Sequence, residues 1–482
     1  MVSRPIRKSG AVLTLSIGAL SLIAGCGGSS GSPTLAPAIV QPSSAVAGAD
    51  PSSWPMQDGD NQRNGVSEQT ALTATNASEL KELWSVQIDD NVQASPIVSN
   101  GMVFIDTFGG AVIALSASTG QELWEYGTSR FLRGTPTLDG NTLIVPEYDA
   151  GGVLALNATT GSLLWQVDAS SWNAGGPVRG EPLVLNGLVY AETAGGDSCI
   201  VGTVAALNEL TGSVAWIWRT ASPGQGIGVW SPVTLTPSGD VSFGTGNACQ
   251  AGLQYTESAV ALNAQTGAFD WDSATSQQGS DVDVGGGIAS DGARGFFTGK
   301  DGNLYAIDVS NGAQLWRVNL GSVPGFGSVA TPATDGSNVV TQSGAFADPN
   351  TDSTPGSAIY DYGTSGALRW KTAPLQVEEF SSPVITDGVV VVGADDSLQV
   401  RSLANGALLW AHDLGSFVYA SPAVTQQGIF IASHGTSSSD AVIYAFGIVG
   451  SDVTARGRAP AATIHVTARA PRHTFAPWGQ RR

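Results

Sequence analysis

The sequence is short of charged residues, cysteine and histidine. Charged residues make up 13% of its 482 residues, and it holds three cysteines and four histidines. No C-x-x-C-H segment is present, which excludes covalently attached c-type haem. A Ser-His-Asp arrangement, Cys/His zinc spacing and a G-x-x-x-x-G-K-[ST] loop are also absent from the sequence. Any chemistry must therefore come from carboxylates together with a bound cofactor.

Basic residues are scarce as well. The net charge is −19, and three of the basic residues lie close to the N-terminus, so the rest of the chain is more acidic still. Such a chain repels nucleic acid, which we exclude as a partner. Glycine is abundant at 62 residues, and it supplies turn conformations that other residues resist. The composition predicts a turn-rich β protein.

Both ends of the chain predict segments outside the folded body. A basic start and an apolar run over residues 11–25, too short to span a membrane, lead into Cys26. They predict a lipoprotein signal peptide over 1–25 with acylation of Cys26, or otherwise an ordinary secretory signal with an incidental cysteine. Residues 26–50 are rich in Ser, Gly and Pro and predict a flexible tether. Residues 450–482 carry six arginines against one aspartate without a strand pattern, and we expect a basic disordered tail.

A repeated motif determines the fold prediction. A glycine precedes a tryptophan by four residues seven times, in contexts such as ALSASTGQELW and ALNATTGSLLW, and successive tryptophans lie 40 to 55 residues apart. Each unit contains four short segments of strand-like alternation, with a tight turn at the glycine. We expect the tryptophan to wedge between neighbouring sheets. The pairs are Gly120/Trp124, Gly161/Trp165, Gly212/Trp216, Gly267/Trp271, Gly312/Trp316, Gly366/Trp370 and Gly406/Trp410.

The count of units predicts a closed ring. An eighth tryptophan, Trp84, lacks the glycine, and the segment after Trp410 holds three strands without a fourth. The N-terminal ELKELWSVQ segment supplies the missing strand. The prediction is an all-β, eight-bladed β-propeller of four-stranded blades over residues 51–449, with the N-terminal strand completing the last blade. An open β-solenoid explains neither the tryptophan count nor the truncated last unit.

A Ser-Pro or Thr-Pro pair, the second landmark of the repeat, stands at the start of most of the units. Glu181-Pro182 replaces it in the third blade, and the fifth blade has Asp-Val-Asp-Val-Gly-Gly-Gly over 281–287 instead. Proline is tolerated because the innermost strand of a blade is an edge. The landmarks are Ser95-Pro96, Thr135-Pro136, Ser231-Pro232, Thr331-Pro332, Ser382-Pro383 and Ser421-Pro422.

These units resemble the pyrroloquinoline-quinone (PQQ) repeat propellers over about residues 54–447. One branch of that family, the quinoprotein alcohol dehydrogenases, binds PQQ and Ca²⁺ at the propeller axis. The other, the outer-membrane-protein assembly lipoproteins, uses the same ring as a scaffold and binds no cofactor. The repeat does not separate the branches. The segment from Trp54 to Gly65 looks like the N-terminal segment of the dehydrogenases.

The resemblance to the dehydrogenases implies an axial site. It implies that Trp230 stacks on PQQ and that the amide oxygen of Asn247 ligates Ca²⁺. Asp283 would be the catalytic base for the alcohol proton, and Lys300 would polarise the quinone oxygen that receives hydride. The alternative for each is structural, namely a Gly-Thr-Gly-Asn turn at 244–247, a solvated turn carboxylate and a solvated lysine.

The sequence also departs from that branch. It has no adjacent cysteine pair, and Asp197 stands where the family places a calcium-binding glutamate, with Glu192 as a nearby substitute. Cys199 and Cys249 are an even pair in an exported chain, so a disulfide is expected. It either bridges the mouth of the site or, as we favour, staples two blades.

Two functions follow. The first is a PQQ- and Ca²⁺-dependent dehydrogenase of a small alcohol or polyol, which passes electrons to a periplasmic acceptor. The second is a non-catalytic scaffold for other proteins of the cell envelope. The axial residues favour the first. In both, a lipid on Cys26 alone would hold the protein to the periplasmic face of a bacterial membrane or to the cell surface.

Overall fold

A computed structural model describes the propeller body of the chain. The predicted signal peptide and nearly all of the tether lie outside the described residues, as do Cys26 and Asp197. Most of the C-terminal segment does so too. The described residues are 50–148, 151–172, 176–194, 199, 201–222, 224–250, 252–276, 282–321, 327–343, 358–373, 380–394, 396–416, 418–435, 440–448 and 462–467.

The described residues form short antiparallel strands and two 3-10 helices, Ala77–Glu79 and Ala169–Ser171. None of the helices in these ranges has the length and apolar character needed to cross a membrane. The first strands are β1 (Leu80–Ile88), β2 (Ile97–Ser99), β3 (Met102–Asp106), β4 (Ala111–Ser116), β5 (Glu122–Gly127), β6 (Thr137–Asp139), β7 (Thr142–Glu147), β8 (Gly152–Asn157), β9 (Leu163–Asp168), β10 (Leu183–Leu185), β11 (Leu188–Thr193), β12 (Thr203–Asn208), β13 (Val214–Arg219), β14 (Ile227–Val229), β15 (Thr234–Leu235), β16 (Asp240–Ala248), β17 (Ser258–Asn263) and β18 (Phe269–Ala274).

The second half of the body repeats this arrangement. Its strands are β19 (Ala289–Ser290), β20 (Arg294–Gly299), β21 (Asn303–Asp308), β22 (Gln314–Asn319), β23 (Ala333–Thr334), β24 (Asn338–Gln342), β25 (Ile359–Gly363), β26 (Leu368–Lys371), β27 (Val384–Thr386), β28 (Val389–Ala394), β29 (Ser397–Ser402), β30 (Leu408–Asp413), β31 (Ala423–Thr425), β32 (Gly428–Ala432), β33 (Ala441–Ile448) and β34 (Ala462–Ile464).

The strands pair into eight small sheets, which confirms the predicted eight-bladed propeller. Blades one to three are β2–β5, β6–β9 and β10–β13, and blade four is β14–β18, with its inner strand split into β14 and β15. Blades five to seven are β19–β22, β23–β26 and β27–β30. Blade eight has the order β31-β32-β33-β1, so the N-terminal strand supplies its outer position as predicted.

The tryptophan and glycine of the repeat contact each other across blades. Trp84 Nε1–H donates to the carbonyl of Ala117 in blade one at 2.9 Å. A Cβ atom at Gly120 would lie 2.7 Å from the Trp84 ring, and the φ of Gly120 is +71°. Only glycine satisfies both the turn and the close ring. The same contact recurs around the ring, which confirms that the tryptophans wedge between sheets.

The Ser/Thr-Pro landmarks form hydrogen bonds between neighbouring blades. The backbone N–H of one landmark donates to the hydroxyl of the next, with donor–acceptor distances of 2.8 to 3.1 Å. We call this series the hydroxyl ring. In blade three the Glu181 carboxyl replaces the hydroxyl and accepts from the N–H of Thr135. The hydroxyl-ring bonds run from Gly287 to Thr331, Thr331 to Ser382, Ser382 to Ser421, Ser421 to Ser95 and Ser95 to Thr135.

Residues 51–70, here called the strap, make a full lap around the axis at one face of the ring. The strap contacts blades one, two and four to eight in circular order, beginning and ending at blade eight, and it reaches blade three through the side chain of Arg63. Because these contacts are at the ends of the inner strands, the strap covers the face on which those strands finish. Its partners include Val98, Leu138, Leu235, Ser290, Thr334, Ile385 and Gln426, and Arg63 reaches Glu181 in blade three.

The C-terminal segment differs from prediction at one place. β34 pairs in parallel with the outer edge of β1, although the sequence predicts no strand there. Ile464 and Val466 are buried, and the N–H of Val466 donates to Asp89 at 2.7 Å. The burial of these apolar side chains on the edge of blade eight accounts for the strand.

Candidate active site

The predicted site residues lie at the face opposite the strap. In an antiparallel blade, the connection from the second to the third strand emerges on the same face as the connection to the next blade. Lys300 lies between β20 and β21, and Asn247 lies near the end of β16. Trp230 follows β14, and Asp283 lies on the connection that enters blade five. We call this face, defined by these four residues, the site face.

Asp283 is the centre of the arrangement. Its Oδ1 accepts a hydrogen bond from the backbone N–H of Asn247 at 2.7 Å, and its Oδ2 accepts one from Trp230 Nε1–H at 3.2 Å. Lys300 Nζ lies 4.0 Å from Oδ2, and the Lys300 backbone N–H donates to the Asp283 carbonyl at 2.9 Å. Asp283 and Lys300 are each 5% exposed. The structure therefore brings these four residues together around one oriented carboxylate.

Trp230 presents a half-buried indole ring with two cations beside it. Lys300 Nζ lies 5.8 Å from the ring centroid, and Arg179 Cζ lies 4.9 Å from it. A Cβ atom at Gly285 would lie 2.1 Å from Trp230 Cη2, so the ring requires glycine at that position. Cations near an indole face attract its electron-rich surface. The ring and its cations suit a flat, negatively charged ligand.

A further arginine, not predicted from sequence, lies on the same face. Arg133 Cζ lies 4.9 Å from the Tyr148 ring and 5.6 Å from the Phe108 ring. Its Nε–H donates to Gln93 Oε1 at 2.6 Å, which fixes the guanidinium. Arg179 thus adds a second positive charge beside Trp230, while Arg133 lies near the residues of blades one and two that it contacts.

The Gly-Thr-Gly-Asn segment is part of a strand, so the alternative of a turn at 244–247 is wrong. β16 continues through Ala248 because Gly244 and Gly246 let it approach the connection into blade five. A Cβ atom at Gly246 would lie 3.0 Å from Asp283 Oδ1. The close approach is what allows the N–H of Asn247 to reach the carboxylate.

The turn that carries Lys300 is held by the next residue, Asp301. The Asp301 carboxylate accepts hydrogen bonds from Ser276 Oγ at 3.0 Å and from Asn303 Nδ2 at 2.9 Å, and also from the Tyr305 hydroxyl. Asp301 is 1% exposed. These contacts fix the backbone from which the Lys300 side chain extends.

Glu192 does not join this group. It is fully buried in β11, and its oxygens make no hydrogen bond of normal geometry with the described residues. Burial and the neighbouring Glu181 carboxyl raise the pKa of Glu192 to about 8. Burial likewise raises the pKa of Glu181 to about 7 and that of Asp58 to about 6. These carboxyls lie near the strap residue Arg63, whose charge opposes the increase.

Stability should fall as the pH rises through the neutral range. Buried carboxyls with raised pKa keep their protons in the folded state at a pH where the unfolded chain releases them. Asp58 and Glu181 carry such shifts, and burial raises the pKa of Asp106 well above its usual value. The stabilisation is complete below the unfolded pKa and is lost as the pH passes the folded values. We expect a melting temperature several degrees lower near about pH 9 than near about pH 5.

Scanning calorimetry at the two pH values measures this effect. The variant Asp106→Asn should reduce the difference because it removes one titrating group, whereas Asp139→Asn, at an exposed position of blade two, should leave it unchanged. A melting temperature that is higher at alkaline pH would contradict the prediction.

The predicted disulfide is present. Cys199 and Cys249 are bonded with a Cα–Cα distance of 5.6 Å, and both are exposed. They join the loops that follow the second strands of blades three and four, so the bond staples two blades on the site face. The N–H of Cys249 also donates to the carbonyls of Gln225 and Gly226, on the connection that leads to Trp230.

The donor set for a metal is incomplete in the part of the chain that the structure describes. No group of three or more His, Cys, Asp or Glu side chains there lies close enough to hold a metal ion. Of the three predicted ligands, Asn247 contacts Asp283, Glu192 is buried in β11, and Asp197 lies outside the described residues.

The match to a family model identifies the group to which the propeller belongs. A PQQ-repeat family model, described as outer membrane protein assembly factor BamB, matches residues 46–171, 128–284, 256–348 and 300–457. The chain belongs to this family. The predicted PQQ-repeat resemblance is therefore confirmed.

Individual relatives come from both branches. The chain is 26% identical to the outer membrane protein assembly factor BamB of Burkholderia pseudomallei over 327 residues, which cover 65% of this chain and 75% of that one. It is 24% identical to the quinoprotein alcohol dehydrogenase PedH of Pseudomonas putida over 168 residues, 32% of this chain and 28% of that one. The fold is similar to the quinohemoprotein alcohol dehydrogenase of Comamonas testosteroni, with a TM-score of 0.71, 17% identity and coverage of 83% and 81%.

Proposed function

We propose that the protein is a PQQ-dependent dehydrogenase of a small alcohol or polyol in the cell envelope. The observation that carries the proposal is the convergence of Trp230, Asn247 and Lys300 on the buried carboxylate of Asp283. A scaffold has no need of a buried aspartate and lysine beside a half-exposed indole. The relatives named for quinoprotein and quinohemoprotein dehydrogenases support the same function.

The site fits PQQ, a planar molecule with three carboxylates. The Trp230 ring offers a flat surface for stacking, and Arg179 and Lys300 lie over that ring. Their positive charges would offset the repulsion between an anionic ligand and an acidic protein. When bound, PQQ would supply the acceptor for the hydride of the alcohol.

Residues of the protein itself would accept the hydroxyl proton of the alcohol. A carboxylate oxygen accepts more than one hydrogen bond, so Asp283 can receive the alcohol hydroxyl proton while Trp230 and Asn247 keep it oriented. Lys300 would lie beside the developing negative charge and stabilise it. Ca²⁺ belongs to the proposal through Asn247, with Asp197 or Glu192 as a further ligand, and it would lie beside the catalytic Asp283.

Replacing the lysine should weaken the binding of PQQ. In Lys300→Ala the cation over Trp230 is lost, and the dissociation constant for PQQ should rise about tenfold to a hundredfold, since a hydrogen bond to a charged group is worth about 1.5–3 kcal/mol. Isothermal titration calorimetry with PQQ and Ca²⁺ measures it. Lys371→Ala, at an exposed lysine of β26, is the matched control and should bind like wild type.

A specific observation favours the second candidate, a scaffold for envelope proteins. Large apolar side chains are exposed on the outer strands of blades one to seven, and they give a protein partner apolar contact points around the rim of the ring. The BamB relative covers more of the chain than PedH does. If wild-type protein gives no heat with PQQ and Ca²⁺, the scaffold function replaces the dehydrogenase. The exposed residues include Leu123, Leu163, Leu164, Val214, Phe269, Leu315, Leu368 and Leu408.

We further propose that the chain reaches the envelope by the predicted signal peptide and is held there by a lipid on Cys26. The disulfide between Cys199 and Cys249 supports export to an oxidising compartment. Mass spectrometry of the purified N-terminal peptide tests the proposal. An unmodified Cys26, or a mature chain that still carries residues 1–25, would contradict it.

A further inference from the structure

Arg63 is a strap residue whose side chain forms hydrogen bonds to two blades. Its side chain is 0% exposed. Nε–H donates to the carbonyl of Val233 at 2.9 Å, and Nη2–H donates to the carbonyl of Glu181 at 3.0 Å. Nη1–H donates to Gln57 of the strap itself at 3.0 Å. The planar guanidinium therefore bridges blade three and blade four from inside the ring.

The hydroxyl ring is interrupted where Arg63 lies. Among the described residues, no landmark N–H donates to a landmark side chain between blades three and four or between blades four and five. Between blades three and four, the N–H of Val233 donates instead to the carbonyl of Glu181 at 3.4 Å. The hydroxyl of Ser231 turns instead to the backbone of Gly244 in its own blade. In blade five the landmark position is Gly287, where a Cβ atom would lie 3.2 Å from Arg63 Cδ. Arg63 thus contacts all three blades at the two missing links.

These three blades are the ones whose inner connections carry the site. Arg179 lies two residues before Glu181, and Trp230 lies three residues before Val233. Asp283 lies four residues before Gly287. Each residue that Arg63 contacts in these blades is therefore within four positions of Trp230 or of a residue that contacts the Trp230 side chain. A shift of one inner strand relative to the next would separate these side chains.

We propose that Arg63 is a positioning residue for the axial site. From its place in the strap, Arg63 fixes the distances between the inner strands of blades three, four and five. Hydroxyl-ring bonds have this role between the other blades. The inference rests on the proposed function for its effect on ligand binding, but the spacing role belongs to the protein alone. Lysine cannot replace it, because only the guanidinium fork reaches several carbonyls at once.

Hydrogen–deuterium exchange of the full chain tests the spacing role without any ligand. In Arg63→Lys, which keeps the charge, amides of residues 227–235 and 282–290 should exchange faster than in wild type. Amides of residues 384–392 and 423–432, in blades seven and eight, should be unchanged. Arg63→Met, which loses the charge too, should show the same pattern with a larger increase and a lower melting temperature.

Ser67→Ala is the matched control. Ser67 is another buried strap residue, and its hydroxyl donates to the carbonyl of Val424 in blade eight at 2.7 Å. Its loss should raise exchange in blade eight and leave blades four and five unchanged. Equal effects of Arg63→Lys on all blades, or no effect on any, would overturn the proposal.

Titration with PQQ and Ca²⁺ links the spacing to the site. Arg63→Lys should raise the dissociation constant for PQQ about tenfold to a hundredfold, as is typical when a group that supports a binding residue is removed. Ser67→Ala should bind like wild type. If wild type itself binds no PQQ, the proposed function fails, and the exchange experiment still decides whether Arg63 spaces the blades. If wild type binds and Arg63→Lys binds equally well, the positioning role fails alone.

Discussion

Deleting residues 78–88 is expected to abolish the stable fold. This segment contains β1, which pairs with β33 from Leu80–Ile448 to Ile88–Ala441 and completes blade eight. It also contains Trp84, which is 2% exposed and bonds to blade one. Without it, β33 becomes an exposed edge, and exposed edges promote aggregation. Size-exclusion chromatography and thermal unfolding should show aggregates or the loss of a cooperative transition.

Two controls sharpen that experiment. A deletion of equal length at 470–480, near the C-terminus, should leave the melting transition in place. A synthetic peptide of residues 78–88, added during refolding, should pair with β33 and restore soluble protein, as donated strands do elsewhere. A truncated protein that melts like wild type would refute closure by β1.

Asp283→Asn is expected to remove turnover with little change in PQQ binding. An amide cannot take the hydroxyl proton, and general-base catalysis contributes on the order of a hundredfold to ten-thousandfold in rate. The amide also turns a donor toward either the N–H of Asn247 or Trp230 Nε1–H, so we expect some disorder of the indole ring. Oxidation of a primary alcohol, followed with an artificial electron-accepting dye in PQQ-loaded protein, measures the loss.

The control for this variant is Asp308→Asn. Asp308 is the partly exposed last residue of β21 in the same blade, where an asparagine can accept the same hydrogen bond from the N–H of Ser310. It should keep full turnover. If Asp283→Asn turned over alcohol at the wild-type rate, another group would have to be the base.

Most of the fold could be predicted because the glycine and tryptophan that pack between neighbouring blades recur along the sequence. Gly120 and Trp84 belong to different blades, yet each position recurs with every unit, so the sequence shows that both are needed. The missing fourth strand after Trp410 pointed directly to the N-terminal segment. β34 gave no such signal, since Ala-Thr-Ile is a short segment whose pairing depends on the edge of β1.

The site could be predicted only in part. Trp230, Asn247, Asp283 and Lys300 came from resemblance, and the structure brings them together, although their roles remain predictions. Arg133 and Arg179 were missed, yet a positional signal existed. Arg133 lies two residues before Thr135-Pro136, and Arg179 lies two residues before Glu181-Pro182. Both positions are therefore just before the inner strand of a blade begins.

The strap could not be predicted from any pattern. Its hydrogen bonds are single backbone contacts to different blades, so they impose no periodicity on residues 51–70. Arg63 is one arginine in an irregular segment, and only the three carbonyls and the glycine around it show its importance. Glu192 was predicted as a metal ligand from proximity in sequence, and that role stays a prediction; its buried carboxyl lies within electrostatic reach of Glu181 and Arg63.

Because the strap makes a full lap around the axis, it contacts residues that are far away in sequence, and this limits the order in which the protein can fold. Ser67 contacts Val424 across 357 residues of sequence, and Thr70 contacts Gln426 across 356. The strap and β1 are synthesised first, while their last partners in blade eight are synthesised near the end of the propeller. Contacts this distant in sequence form slowly. β1 and the end of the strap must therefore stay unpaired until blade eight has been synthesised, and a chain stalled during synthesis would display both an open ring and an unused strand.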